Sequence, residues 1–400
     1  MIIDIFNYSV TAILIGVCAA WIFLIKSMII SFRDTPYLDK FEKSKHNNPK
    51  VSVILPARNE EEFIAKCLDT LLKQDYQNYE IIVIDDSSQD STAMIISQYA
   101  TKYSKIVPVS AKEKPDGWMG KNWACIEGYK KATGELLLFT DADTQHSKNV
   151  ISLAVSHLLT FNLDALTVIP RMATLDGWTK ITLPMISTFL HTRFSAIRVN
   201  DPTKKTGYFF GSFFLINKKT YEEVGTHEGV KQEIIEDGAL GKKVKETGHK
   251  MKMVRGEHLI EAVWSRDKST LWNALKRLMI PLYLQSHGIA VGIFFAVLFL
   301  LFIPFPIMIL SSFFAFESLS NLALSVSSIF ASVLIYAGGL LEVKKGLDLK
   351  LINALFAPIG SLVVVLAFLS GLLQAKKDSS VSWRGRSYSM KDHVQDSIRI

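Results

Sequence analysis

In three places an apolar run ends in a short segment that carries carboxylates. Pro56, Ala57, Asn59 and Glu60 follow residues 51–55. Asp85 and Asp86 follow residues 81–84. Asp141 and Asp143 follow residues 136–139. Carboxylates gathered at one place repel each other, and a divalent cation is an economical remedy. Hard oxygen ligands suit Mg2+ or Mn2+, with one or two carboxylates and substrate phosphates completing the shell. The competing reading is a set of solvated turns, because Asp and Ser are common there. A single run leaves the two readings balanced; all of them at equivalent positions favour the cation.

The elements needed to gather these runs are visible in the pattern. Val51, Val53, Ile54 and Leu55 form a strand-like run stopped by Pro56. Asn59 is placed to cap a helix, with Glu62 in a capping-box relation. Phe63 and Ile64, Cys67 and Leu68, then Leu71 and Leu72 recur at helical spacing. The run 81–84 is β-branched, a helix is expected over 91–99, and another over 122–132 precedes the run 136–139. Such alternation predicts an α/β fold with a mostly parallel sheet covered on both faces. The C-terminal ends of parallel strands share one edge, where ligands bind. The three runs are therefore expected to face one cleft.

Of the 400 residues, 49% are apolar, and the net charge is +7; the mean hydropathy is +0.22. Much of the basic excess sits beside apolar segments: Lys26 and Arg33, Lys344 and Lys345, Lys376 and Lys377, Arg384 and Arg386. That placement suits cytoplasmic loops and anionic lipid. No basic stripe with interleaved aromatics argues for nucleic acid. Cys18, Cys67 and Cys125 lack metal-ligand spacing and fit a reducing compartment.

Residues 5–25 carry no charge and precede Lys26 and Arg33. They are expected to form an uncleaved anchor, since a signal peptide would need a basic leader and only Asp4 precedes the run. Residues 278–316, 318–341 and 351–375 are further uncharged stretches. The loop 317–321 reads as external and the basic loop 343–350 as internal. If the last stretch spans, the tail from Lys376 lies outside. Pro358 and Gly360 offer a break that would return it as a re-entrant hairpin. The organisation expected is an anchor and linker over 1–48, a globular domain over 49–277, transmembrane helices over 278–375, and a basic tail over 376–400. Residues 178–198 suit a helix in the membrane interface, with a buried domain helix as the alternative.

The strings VSVILPARNEEE, IIVIDDSSQDST, GKNWACIEGYKKATGELLLFTDADT, GSFFLINKKTYEEVG and IIEDGALGKKVKETG occur in this order. The ordered set resembles the family 2 glycosyltransferases, whose nucleotide-sugar fold is called GT-A. GWMGKNWA and the tail WRGRSY are similar to membrane enzymes that glycosylate carotenoids, hopanoid-associated lipids and ceramide. The resemblance implies a nucleotide diphosphate sugar donor and roles at matched positions. Pro56, Ala57, Asn59 and Glu60 would line the nucleoside pocket, and Asp86 or Asp85 would contact base and ribose. Lys121 would lie near the diphosphate. Asp141 and Asp143 would hold the ribose and the metal. Asp237 falls at the position of the catalytic base, ionised at neutral pH, with Glu236 orienting the loop. Gly207 to Phe214 would form part of the acceptor wall, with Gly211 permitting close backbone approach. A bland reading stands beside these: Lys121 as a surface lysine, and Glu236-Asp237 as an acidic pair favoured by a helix dipole.

The implied function is inverting, metal-dependent transfer of a single sugar to a membrane lipid on the cytoplasmic side. One alternative is a processive polysaccharide synthase. Such enzymes carry Gln-x-x-Arg-Trp on an interfacial helix, whereas residues 271–277 here read LWNALKR. Another is a catalytically silent scaffold with the same fold. That predicts decayed acidic ligands, yet Asp86, Asp141, Asp143 and Asp237 are all present.

Overall fold

The apolar runs of the sequence become strands with their alternate residues on opposite faces. The protein is described here from a computed structural model covering residues 1–41, 48–377 and 380–389. Residues 42–47 of the expected linker, residues 378–379 and the tail beyond 389 lie outside the described residues. The chain forms two compact units. One comprises Met1–Asp34, Thr174–Ser195 and Trp264–Val381. The other comprises Thr35–Ala173, Ala196–Val263 and the tail from Ser382.

The second unit is built on strands β1 (Val51–Ala57), β2 (Tyr79–Asp85), β3 (Ile106–Ser110), β4 (Leu136–Phe139), β5 (Thr144–His146), β6 (Ala165–Ile169), β7 (Arg171–Thr174), β8 (Phe214–Asn217), β9 (Met251–Arg255) and β10 (Ile260–Ser265). The main sheet runs β3-β2-β1-β4-β8-β6-β9, and a smaller one runs β5-β10-β7. In the main sheet β1 pairs in parallel with β2 and β4, β2 with β3, and β6 with β9; among the described residues only β8 of that sheet is antiparallel to its neighbours, β4 and β6. This is the mostly parallel α/β sheet that the alternation predicts.

Side chains alternate across a strand, and the core divides accordingly. Val53, Leu55, Ile81, Val83, Leu136 and Leu138 enter one cluster, with Leu68 and Leu71 of the helix Ile64–Leu72. Ile54, Ile82, Ile84, Leu137 and Phe139 enter the other, with Ala124 and Leu240 from helices Gly120–Tyr129 and Glu236–Glu246. Ala57 lies opposite Asp85, and Ile54 opposite Phe139. The chain therefore leaves β1, β2 and β4 at the same edge.

Asn59 does not cap the following helix. That helix begins after Phe63, without a side-chain cap. Asn59 instead takes a left-handed φ of 55°, which Asn tolerates better than most residues. Its side-chain oxygen accepts the N–H of Gln89 at 2.8 Å. The capping pattern is outcompeted by a turn that ties the loop after β1 to the loop after β2. The helix expected over 91–99 runs Thr92–Lys102, and the one expected over 122–132 runs Gly120–Tyr129.

In the first unit, Ile2–Asp34, Leu319–Lys345 and Ala357–Lys377 are, among the described residues, long and apolar enough to cross a membrane. His287–Phe302 and Pro304–Ser312 form a further apolar pair bent by 49°. The stretch 278–316 is thus interrupted, and its first residues belong to Lys268–Gln285, which opens on an Asp267–Thr270 capping box. The break expected at Pro358 and Gly360 is absent, because Ala357–Lys377 is continuous through both. A proline in the first turn sacrifices only an N–H that has no partner in the helix. Gly360 leaves room for the Ile181 carbonyl, which occupies the place of a Cβ. Residues 178–198 are divided: Gly177–Ser187 and Leu190–Arg193 fall with the apolar helices, and Ala196–Asn200 with the sheet.

Candidate active site

Lys121 occupies the first turn of Gly120–Tyr129. Its Nζ lies 2.7 Å from Asp141 Oδ1 and 2.7 Å from Glu236 Oε1. Asp141 arrives from the end of β4; Glu236 and Asp237 open the helix Glu236–Glu246. Three elements thus converge on one ammonium. Asp237 Oδ2 accepts the backbone N–H of Gly211 at 2.7 Å, and its Oδ1 accepts that of Gly238 at 2.7 Å. A Cβ on Gly211 would lie 2.8 Å from Asp237 Oδ2 and 2.9 Å from Lys121 Nζ, so this approach requires glycine. A small cleft beside the cluster is lined by Pro56, Lys121, Cys125, Thr140, Gly211 and Glu236.

The electrostatics follow from this crowding. Burial alone would lower the pKa of Lys121, but Asp141, Glu236 and Asp237 hold it well above the usual lysine range. One ammonium cannot serve three carboxylates equally. Burial first, and then the Glu236 carboxylate, push Asp237 up to about 7 against the opposing pull of Lys121. The Asp237 carboxylate, expected from the sequence to be ionised at neutral pH, is thus held well above the usual carboxylate range. Burial and the like charge of Glu236 are the reason.

A second charge cluster joins the ends of β1, β2 and β4. Glu60 and Asp86 are buried, and Asp85 and Asp143 are half-buried. The Glu60 N–H donates to Thr92 Oγ1 at 2.8 Å, and Asp85 Oδ1 accepts the N–H of Ser88 at 3.3 Å. Arg58 donates to the carbonyls of Asp86 and Ser87. The cations facing these carboxylates come from the tail. Arg384 Nη2 is 2.7 Å from Glu60 Oε1 and 3.5 Å from Asp143 Oδ2. Arg386 pairs with Asp86 Oδ2. Burial raises the pKa of Asp86, and Arg386 and Arg58 oppose the rise without cancelling it. Asp86 Oδ1 is buried without a hydrogen-bond partner among the described residues.

The site residues singled out in the sequence divide between these two clusters and the strand end and turn beside them. Lys121, Asp141, Glu236 and Asp237 form the first cluster. Glu60, Asp86 and Asp143 belong to the second, with Asp85 beside it. Pro56 and Ala57 are the last residues of β1, and Asn59 lies in the turn beyond. The sequence groups Arg384 and Arg386 with basic residues flanking apolar segments; the structure sets them on carboxylates of the sheet unit. Their one sequence signal is the string WRGRSY. Among the described residues no group of three or more His, Cys, Asp or Glu side chains could hold a metal. Asp141 and Asp143 are two carboxylates at one strand end. That donor set fits a hard cation whose shell is completed by substrate oxygens, rather than an all-protein cage.

Residues 52–225 match the family described as Glycosyl transferase family 2. A 4,4'-diaponeurosporenoate glycosyltransferase of Staphylococcus aureus (strain USA300) is 30% identical over 201 residues, 49% of this chain and 51% of that protein. Its counterpart in Staphylococcus haemolyticus (strain JCSC1435) is 27% identical over 225 residues, 52% and 55% of the two chains. The chain spans about half the length of the curated relatives it matches. Among solved structures, the mannosyltransferase PcManGT from Pyrobaculum calidifontis, in complex with GDP-Man and Mn2+, is similar with a TM-score of 0.55 at 18% identity. The match covers 92% of this chain and 99% of that one. This likeness shows the fold, which is the GT-A class expected from the sequence.

Proposed function

We propose, from the premise that residues 52–225 form a glycosyl transferase family 2 domain, that this protein transfers one sugar from a nucleotide diphosphate sugar to a membrane lipid, with inversion. The observation that carries this reading is the convergence of Lys121, Asp141, Glu236 and Asp237 at one sheet edge.

In a direct displacement, the acceptor oxygen bonds to the anomeric carbon as the bond to the diphosphate breaks. The nucleoside diphosphate leaves, and the proton of an acceptor hydroxyl must go to a base. Asp237, at about 7, is tuned for that task, because a general base works best near the operating pH. The Gly211 N–H fixes its orientation. Lys121 holds Glu236 and Asp141 in place and keeps a positive charge near the negative charge that develops on the departing diphosphate. Gly207 to Phe214 is the proposed acceptor wall.

Pro56, Ala57, Asn59 and Glu60 line the proposed nucleoside pocket. Asp86, with Asp85, meets the base and ribose; the unpartnered Asp86 Oδ1 suits an N–H or O–H donor of that group. Asp141 and Asp143 hold the ribose and a Mg2+ or Mn2+ ion, as the Mn2+ complex of the mannosyltransferase suggests. When bound, the cation supplies positive charge for the departing diphosphate.

The acceptor is an apolar lipid with a hydroxyl or a carboxylate. The relatives are named for a carboxylate, 4,4'-diaponeurosporenoate. The apolar helices support a multi-pass protein, and Lys26 and Arg33 favour a cytoplasmic domain over 49–277. Arg384 and Arg386 contact Glu60 and Asp86, so that segment of the tail lies on the same side. The segments between then cross the membrane an even number of times. The test incubates the purified full chain with UDP- and GDP-sugars and total membrane lipid. Mass spectrometry should find a lipid heavier by one sugar. A polymer series, or no transfer from any donor, would reject single-sugar transfer.

A further inference from the structure

The tail returns to the sheet unit as a hairpin, with Ser380–Trp383 against Arg386–Ser389. Arg384 and Gly385 form the turn, with φ of 47° and 77°. Positive φ at both central residues is the tight hairpin geometry whose twist matches its strands. Glycine adopts it freely; arginine does not. The backbone is anchored there by Arg58, whose Nε donates to the Arg384 carbonyl at 3.0 Å.

What this turn delivers is positive charge. Glu60, Asp85, Asp86, Asp141 and Asp143 lie at the ends of β1, β2 and β4, an edge that would repel a diphosphate. Lys121 is already engaged by Asp141 and Glu236. Arg384 and Arg386 bring two further cations to Glu60, Asp143 and Asp86. The start of the helix Gly120–Tyr129 meets the same group: a Cβ on Gly120 would lie 2.8 Å from Arg386 Nη1 and 3.0 Å from Asp86 Oδ2. The N–H groups of a helix start favour anions. Guanidinium groups, a helix start and the unpartnered Asp86 Oδ1 thus share one place.

We propose that the Arg384-Gly385-Arg386 turn is part of the donor site, its two guanidinium groups gripping the diphosphate of the nucleotide sugar. This rests on the glycosyltransferase reading above. A guanidinium presents a planar fork of N–H donors that fits carboxylate and phosphate alike. Without donor, the groups rest on Glu60, Asp86 and Asp143. With donor, they turn donors toward phosphate oxygens while staying on the same edge. No covalent step is involved. The site is therefore completed by a segment far beyond the family 2 domain in sequence.

The test titrates the full chain in detergent with UDP, GDP, UMP and GMP in Mg2+ buffer. If wild type binds none of the four, the donor reading itself fails. If it binds, Arg384→Ala and Arg386→Ala should each reduce the preference for diphosphate over monophosphate by roughly 10–100-fold, the scale of a lost charge-assisted bond. Arg384→Lys should fall between. Retained monophosphate binding shows that the pocket is folded. An unchanged preference, or tighter UDP binding by the variants, overturns the proposal. A second measurement needs no variant: trypsin cleavage after Arg384 and Arg386 is followed in wild type with and without the tighter-binding diphosphate. Slower cleavage with the nucleotide supports a grip. Unchanged or faster cleavage overturns it, the latter marking a latch displaced by donor.

Discussion

The two charge clusters solve the same problem with different surpluses. Around Lys121, three carboxylates share one ammonium, and burial, together with the excess negative charge, leaves Asp237 at about 7. Around the tail turn, Arg384 and Arg386 face Glu60, Asp86 and Asp143, so two guanidinium groups serve three carboxylates, with Arg384 shared by Glu60 and Asp143. Burial with a shortage of positive charge raises a carboxylate toward neutrality. A fuller supply of cations is what the proposed diphosphate site needs to trade one anion for another. On the proposed reading, proton transfer and anion binding are separated on one sheet edge by burial and by the balance of cations.

The sharpest break of this comparison is Asp237→Asn, which keeps the shape and removes the basicity. Turnover on a hydroxyl acceptor should fall by roughly 10²–10⁴-fold, while UDP or GDP affinity measured by titration changes little. Lost nucleotide affinity would move Asp237 into the donor-binding group. A carboxylate acceptor needs little base, and a mild effect in that assay would identify the acceptor class.

Asp143→Asn tests the other cluster. It should weaken Mg2+ or Mn2+ dependence and turnover together, by roughly 10–100-fold, the scale of a perturbed metal site. Full wild-type activity in EDTA would remove the cation from the scheme. The proton-transfer cluster also predicts a pH profile. Because Asp237 is held at about 7, kcat/KM on a hydroxyl acceptor should rise as pH increases through that value, where the carboxylate becomes the major form. A flat profile between pH 6 and 8 would dissociate Asp237 from proton transfer.

Sequence reveals these two clusters unequally, and chain separation explains the difference. The sheet, the strand-end carboxylates and their shared edge are legible because β1, β2 and β4 are joined through short helical connections whose apolar periods are visible. Asn59 misleads because the same side chain serves a helix cap and a left-handed turn, and only the Gln89 contact decides between them. The break in the apolar stretches is misplaced because a proline breaks a helix in its interior but not in its first turn, and the helix start is not marked in the sequence. The pKa of Asp237 depends on burial, to which residue identity is blind. Arg386 and Asp86 are 300 residues apart, and a basic residue after an apolar segment looks the same whether it meets lipid or a carboxylate.

The smallest effect concerns the Arg386–Asp86 pair as a stability element. Asp86 is buried, and its pKa stays above the usual range even with Arg386 beside it. The folded state therefore holds the Asp86 proton more tightly than the unfolded chain does. Stability falls as pH rises from the unfolded pKa through the folded one, and the loss vanishes at lower pH. Arg386→Ala removes the paired cation and leaves Asp86 only the weaker influence of Arg58, so the variant should unfold roughly 2–4 °C lower at pH 8. The difference should shrink as the pH falls below the folded pKa of Asp86. In the double variant Asp86→Asn with Arg386→Ala, neither charge remains, and most of the loss should be recovered, since removing both partners costs less than removing one. Thermal unfolding of the sheet unit, followed by a probe at Trp123 that this unit contains, supplies the four corners of the cycle. Equal losses in the single and double variants would mean that Arg386 contributes packing rather than charge, and the balance of cations attributed to the tail cluster would not hold.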